Sequence, residues 1–154
     1  MREGMRMDLS ASSAGRWDEI AAQAHSLFVY GTLQFPAVLE VLIDRVPQRE
    51  TATAPGWRVA ALPGRVYPGL VPHPNGLAHG TVLKGLTAPE WTILDAFEDD
   101  EYDLRTIQLS NSSGTAWTYV WTAPAAQDDW HPDRFTTDHL PHFVTHSAQW
   151  RREL

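Results

Sequence analysis

The sequence predicts an α+β domain, a small mixed-sheet β-barrel with flanking helices. Two observations carry this. Short apolar pieces punctuated by proline and glycine outnumber the helical stretches, and short turns join most of them. The element order runs β, α, several β, α, β-hairpin, α, which favours a mixed sheet, curled or closed, with helices packed outside it.

The first element follows a segment of different character. Residues 1–25 read as an N-terminal extension, partly helical or flexible. Arg2, Gly4, Ser10, Ser12, Ser13 and Gly15 open it, and Trp17, Ile20, Ala21 and Ala24 stand at helical spacings. The domain proper is expected over residues 26–150. It begins with Ser26–Tyr30, short, apolar and partly β-branched, the pattern of a buried strand. Gly31-Thr32 ends that strand, and Pro36 opens an apolar helix to Asp44, proline being suited to a first helical turn.

Residues 45–87 read as all-β, in pieces Gly56–Leu62, Arg65–Val71 and Gly76–Gly85. Gly80 marks a bulge or a close backbone approach. Pro72 and Pro74 bracket His73 in an expected exposed loop. Thr87-Ala88-Pro89-Glu90 then has the form of a capping box, with Thr87 as cap and Glu90 as the third helical residue. The helix carries Trp91, Ile93, Leu94 and Phe97 and is expected to end near Asp99. Strands follow over Tyr102–Leu109 and Thr115–Trp121, with Asn111 to Gly114 as a hairpin turn. Pro132 starts a last helix that Pro141 interrupts or ends.

Composition narrows the function classes. The chain has 154 residues and no cysteine. The missing thiol excludes a disulfide scaffold, thiol catalysis and cysteine metal sites. Net charge is −7, Lys84 is the only lysine, and the arginines are scattered, so the basic stripe of a nucleic-acid binder is lacking. No apolar run approaches the roughly 20 residues of a membrane span. The expectation is therefore a cytoplasmic protein with neither nucleic-acid nor membrane partner. The sequence leaves the oligomeric state open.

Two segments are candidates for chemistry. In Tyr30-Gly31-Thr32-Leu33, a glycine between a buried strand and a helix exposes backbone N–H groups able to hold a carboxylate or oxyanion. The same residues also suit an ordinary tight turn. The second segment, Asp95 to Asp103, packs six carboxylates into nine residues. On a helical wheel at roughly 100° per residue, Glu98 lies nearest the apolar face and follows Leu94 at i+4, whereas Asp95 and Asp99 point elsewhere. A partly buried Glu98 would be a good general base, because desolvation disfavours its charged form. A solvated acidic turn is the plainer alternative.

Other features carry less. His139, His142 and His146 have a ligand-like spacing, but Pro141 disrupts the helix they would share, so surface or packing roles are expected and no metal. Trp117, Tyr119 and Trp121 alternate onto one strand face, as core or as an aromatic wall for a small ligand. No Gly-x-Ser-x-Gly element supports serine catalysis.

Taken together, Phe28-Val29-Tyr30-Gly31-Thr32-Leu33, then Leu94-Asp95-Ala96-Phe97-Glu98 some 60 residues on, then Tyr102, Arg105 and Tyr119, resemble the γ-glutamyl cyclotransferase-like family. The resemblance spans about residues 26–122. Asp99 stands where many members carry glycine. The resemblance implies a small barrel with a pocket at one end, the backbone of Tyr30, Gly31, Thr32 and Leu33 holding a γ-glutamyl group, and Glu98 as the catalytic acid/base. It implies a small-molecule γ-glutamyl substrate, closure to 5-oxoproline with release of an amine or amino acid, and no cofactor. A non-catalytic small-molecule binding module, and a tailoring enzyme that removes a γ-glutamyl protecting group in a biosynthetic pathway, are the rival expectations.

Overall fold

A computed structural model describes residues 26–110 and 114–154. The expected N-terminal extension and the hairpin tip at 111–113 lie outside the described residues. The chain folds as strand β1 (Leu27–Val29), a 3-10 turn (Thr32–Gln34), helix α1 (Pro36–Ile43), the long strands β2 (Gln48–Ala60) and β3 (Gly69–Lys84), helix α2 (Ala88–Phe97), strands β4 (Tyr102–Gln108) and β5 (Thr115–Trp121), and helices α3 (Pro132–Asp138) and α4 (Leu140–Arg152).

The five strands form one mixed sheet in the order β2-β3-β1-β5-β4. β1 runs antiparallel to β3 (Phe28 opposite Val82) and parallel to β5 (Leu27 opposite Trp117). β3 bends far enough to reach β5 directly, at Leu70 opposite Val120. The sheet curls without closing. A single bond, from the Ser110 N–H to the Thr53 carbonyl at 2.9 Å, links the end of β4 to β2.

Curling gives the sheet two apolar faces, and the strand alternation divides them. Leu27 and Val29 face outward, into a core shared with Leu39 and Leu42 of α1, Leu94 and Phe97 of α2, Phe135 of α3 and Phe143 and Trp150 of α4. Phe28 and Tyr30 face inward, with Ala52, Ala54, Val82, Ala116 and Val120. The expected aromatic stripe Trp117, Tyr119, Trp121 belongs to the helix side.

The capping box forms as expected. Thr87 Oγ1 accepts from the Glu90 N–H, and the Glu90 carboxylate accepts from the Thr87 N–H at 3.0 Å. Arg45 then clamps the same carboxylate from outside, at 2.6 and 2.7 Å, and holds the Glu90 pKa below its ordinary value.

Two local expectations change, and the choice at Gly80 is decided. The strand pieces over 48–84 are two continuous strands, with Pro55 and Pro72 at paired positions that flank a register jump and Pro74 inside it. Between Pro55 opposite Leu77 and Trp57 opposite Pro72 the register jumps. His73 to Gly76 therefore bulge out of β3, exposed as expected but within the strand. Gly80 marks a close approach: a Cβ there would collide with the Val29 carbonyl and the Phe28 ring. Finally, the chain breaks at His139, and Pro141 sits in the first turn of a new helix, where its missing N–H costs nothing.

Candidate functional site

β1 delivers Tyr30 into the inner core, where its hydroxyl donates to the Tyr119 carbonyl at 2.6 Å. This anchors the start of the following loop to β5. Gly31 comes next, with no room for a Cβ beside the Pro68 ring. Thr32 and Leu33 are buried in the 3-10 turn, which closes with the Gln34 N–H on the Gly31 carbonyl at 3.1 Å. Such a turn leaves its first N–H groups without internal partners. Among the described residues, the N–H groups of Gly31, Thr32 and Leu33 donate to no acceptor.

Glu98 arrives from the other side. α2 ends at Phe97, and Glu98 is its C-cap, with extended backbone (φ −74°, ψ 144°) and its N–H still bonded to the Leu94 carbonyl. Its φ is helical, so this half-buried side chain leaves the helix where the next helical residue would, and the extended ψ turns only the chain that follows. Glu98 and residues Tyr30 to Leu33 line one pocket. Tyr67 and Pro68 from the β2–β3 connection, Tyr102 of β4, Tyr119 of β5, and Phe97 and Phe143 complete its walls.

The pocket is electrostatically one-sided. Among the described residues, its charged lining residues are Glu98 and Asp99, and no Lys, Arg or His lines it. Burial raises the Tyr30 pKa, with the Glu98 charge adding to it. Burial likewise raises Tyr102, with Tyr30 and then Glu98 as further causes. Both phenols therefore remain neutral, and their protons are already committed: Tyr102 Oη donates to the Pro68 carbonyl at 2.5 Å. Among the described residues, the donors open to an anionic ligand group are the 31–33 amides.

The helical wheel turned Asp95 and Asp99 away from the pocket; Asp95 stays outside it, whereas Asp99 lines it. Asp95 is 0% exposed and accepts from Tyr119 Oη at 2.8 Å. Asp99 is 3% exposed and accepts from Tyr67 Oη at 2.9 Å. Neither points to solvent, because phenols on the opposing elements supply donors that a wheel cannot include. Tyr67 and Pro68 went unrecognised, since no spacing rule relates residue 67 to residue 99. Arg105 lies outside the pocket, paired with Asp103 at 2.9 Å. Of the aromatic stripe, Tyr119 alone reaches the pocket.

His139 and His142 are exposed and His146 is half-buried. Among the described residues no group of His, Asp and Glu could hold a metal ion. A separate groove, lined in part by His73, His79, Arg58 and Asp129, meets the pocket only at Tyr30.

The profile of the gamma-glutamyl cyclotransferase, AIG2-like family matches residues 27–140. The chain belongs to that family. Among its relatives, AIG2-like protein A of Arabidopsis thaliana is 39% identical over 129 residues, covering 79% of this chain and 78% of that protein. AIG2-like protein D of the same plant is 35% identical over 138 residues, covering 84% and 91%. The solution structure of another Arabidopsis thaliana protein superposes with a TM-score of 0.63 at 35% identity, over 80% of this chain and 88% of that one. The AIG2-like family thus accounts for the mixed five-stranded sheet. Among the described residues, no helix is long and apolar enough to cross a membrane.

Proposed function

We propose that the protein is a γ-glutamyl cyclotransferase-type enzyme, cofactor-independent and cytoplasmic. Its reaction is the intramolecular aminolysis of a γ-glutamyl amide. The α-amine attacks the γ-carbonyl carbon, the bond to the leaving nitrogen breaks, and 5-oxoproline and an amine or amino acid depart. One observation carries this reading: Glu98 and three consecutive amides with no acceptor among the described residues line the same pocket.

The roles follow from the chemistry. The α-amine arrives protonated and must lose a proton before it attacks. Glu98 takes that proton and returns it to the leaving nitrogen, a contribution of about 10²–10⁴-fold. The amides of Gly31, Thr32 and Leu33 hold the γ-glutamyl group and stabilise the oxyanion, worth roughly 10²–10³-fold per donor. The aromatic walls fold the substrate so that amine and carbonyl meet, and intramolecularity of this kind is worth roughly 7–11 kcal/mol. Family membership supports the reaction class.

The test is to incubate the protein with γ-glutamyl amines and γ-glutamyl amino acids and to measure 5-oxoproline. Release by wild type with loss of at least about 100-fold in Glu98→Gln supports the assignment. Equal release by both proteins removes Glu98 from the mechanism. Uptake of 5-oxoproline without turnover of any substrate would make the fold a binding module.

A further inference from the structure

The Glu98 pocket measures about 40 Å³, and the groove that meets it at Tyr30 measures about 410 Å³. The smaller cavity is matched to a compact γ-glutamyl head, so whatever the γ-nitrogen carries must lie outside it. The groove falls within the usual size of small-ligand sites, about 300–1,000 Å³. The shared wall is fixed, because Tyr30 Oη is tied to the Tyr119 carbonyl at 2.6 Å.

Both rims of the groove are held in place. One rim is the register jump in β3, where His73 to Gly76 stand out between Pro72, opposite Trp57, and Leu77, opposite Pro55. Bulges of this kind re-aim side chains beside functional sites. A Cβ on Gly76 would stand 2.8 Å from Cδ2 of His73, so the ring packs over a residue with no side chain. The other rim is Asp129 and Trp130. Arg58 Nη1 donates to Asp129 Oδ1 at 3.1 Å. The Trp130 N–H donates to the Val59 carbonyl at 3.0 Å, and its Nε1–H donates to the Val66 carbonyl at 2.8 Å.

The lining suits an anionic group on an apolar body. His73, Asn75 and His79 bring side-chain N–H donors, and an imidazole carries one in either charge state. Among the described residues Asp129 is the acid of the lining, and it is paired with Arg58. Trp130 and Leu77, which is 50% exposed, add apolar wall. We propose that this groove is the leaving-group subsite and that it takes an amino acid. The carboxylate meets His73 and His79, and an apolar side chain lies against Trp130 and Leu77. This rests on the reading of the Glu98 pocket as the γ-glutamyl site.

The experiment compares 5-oxoproline release from three substrates. They are γ-glutamylphenylalanine, γ-glutamylphenethylamine, which lacks only the carboxylate, and γ-glutamylmethylamine, whose leaving group is too short to enter the groove. Wild type is expected to favour the first over the second by about tenfold in kcat/KM, the worth of hydrogen bonds to a charged group. That preference is expected to vanish in the His73→Ala/His79→Ala double variant. Equal use of the two by wild type, or a preference that survives in the double variant, overturns the proposal. Should the double variant fail to fold, His79→Ala alone is read in the same way. If wild type releases no 5-oxoproline from any of the three, the reaction is wrong and the subsite is read by nitrogen-15 NMR. There γ-glutamylphenylalanine must shift the His79 amide and the Trp130 indole signals, and γ-glutamylmethylamine must leave them in place. Signals unmoved by γ-glutamylphenylalanine, or moved equally by both, overturn the subsite.

Discussion

A Cβ atom placed on Gly31 would stand 2.6 Å from Cγ and 2.8 Å from Cδ of Pro68. The loop whose amides have no acceptor among the described residues and the wall opposite it therefore meet through a residue with no side chain. Neither partner can yield easily. Pro68 is rigid, and Tyr102 Oη holds its carbonyl.

Gly31→Ala should accordingly destabilise the protein by about 1–3 kcal/mol, the usual cost of overpacking. Displacing the loop should also lower 5-oxoproline release by roughly 100-fold, since misplacement near 1 Å has that effect on oriented reactions. Denaturant unfolding and the steady-state assay read the two effects separately.

The Tyr119–Asp95 bond supports the site from below. Tyr119→Phe removes the donor from a carboxylate with 0% exposure. The expected loss is about 1–3 kcal/mol, measured by chemical denaturation.

The start of α2 gives a prediction remote from the pocket. Thr87→Ala removes the acceptor for the Glu90 N–H and should cost about 1 kcal/mol. For a chain of this size that is a fall in Tm of roughly 2–4 °C, with 5-oxoproline release unchanged below the transition.

Glu90 also makes stability depend on pH. Hydrogen bonding from Arg45 is the main cause of its lowered pKa, against an ordinary value of 4.5. A carboxyl depressed in the folded state contributes its full stabilisation above the unfolded value. It loses that contribution as pH falls through the folded one. Arg45 is 42% exposed, so solvent screening limits the pair to about 0.5–1 kcal/mol. Wild type and Glu90→Gln should differ by about this much at pH 7 and converge as the solution is acidified below 4.5. Denaturation curves at several pH values give the comparison.

Features set by near neighbours in sequence were legible. The capping box needs only Thr87 and Glu90 at their spacing, and the Tyr30–Leu33 turn needs only a buried strand, a glycine and Pro36. The wheel direction of Glu98 carries over, because its φ of −74° is helical and only the chain after it turns away. The wheel turned Asp95 and Asp99 away from the apolar face, whereas phenols more than twenty residues distant bury both. The β2–β3 hairpin appeared as fragments because Pro55, Pro72 and Pro74 look like breaks. In the folded chain Pro74 falls inside the register jump at His73 to Gly76, and Pro55 and Pro72 flank it as paired positions. What remained hidden depended on pairings across the barrel, above all Tyr67 with Asp99 and Pro68 with Gly31.

The most direct measurement adds 5-oxoproline to nitrogen-15-labelled protein and follows amide chemical shifts. The account predicts that the largest changes fall on Gly31, Thr32 and Leu33 together with Glu98, and that Glu98→Gln alters the response at both places. Changes gathered instead around His73 and His79, or at the 31–33 amides with Glu98 unaffected, would contradict a single ligand held between the turn and the carboxylate.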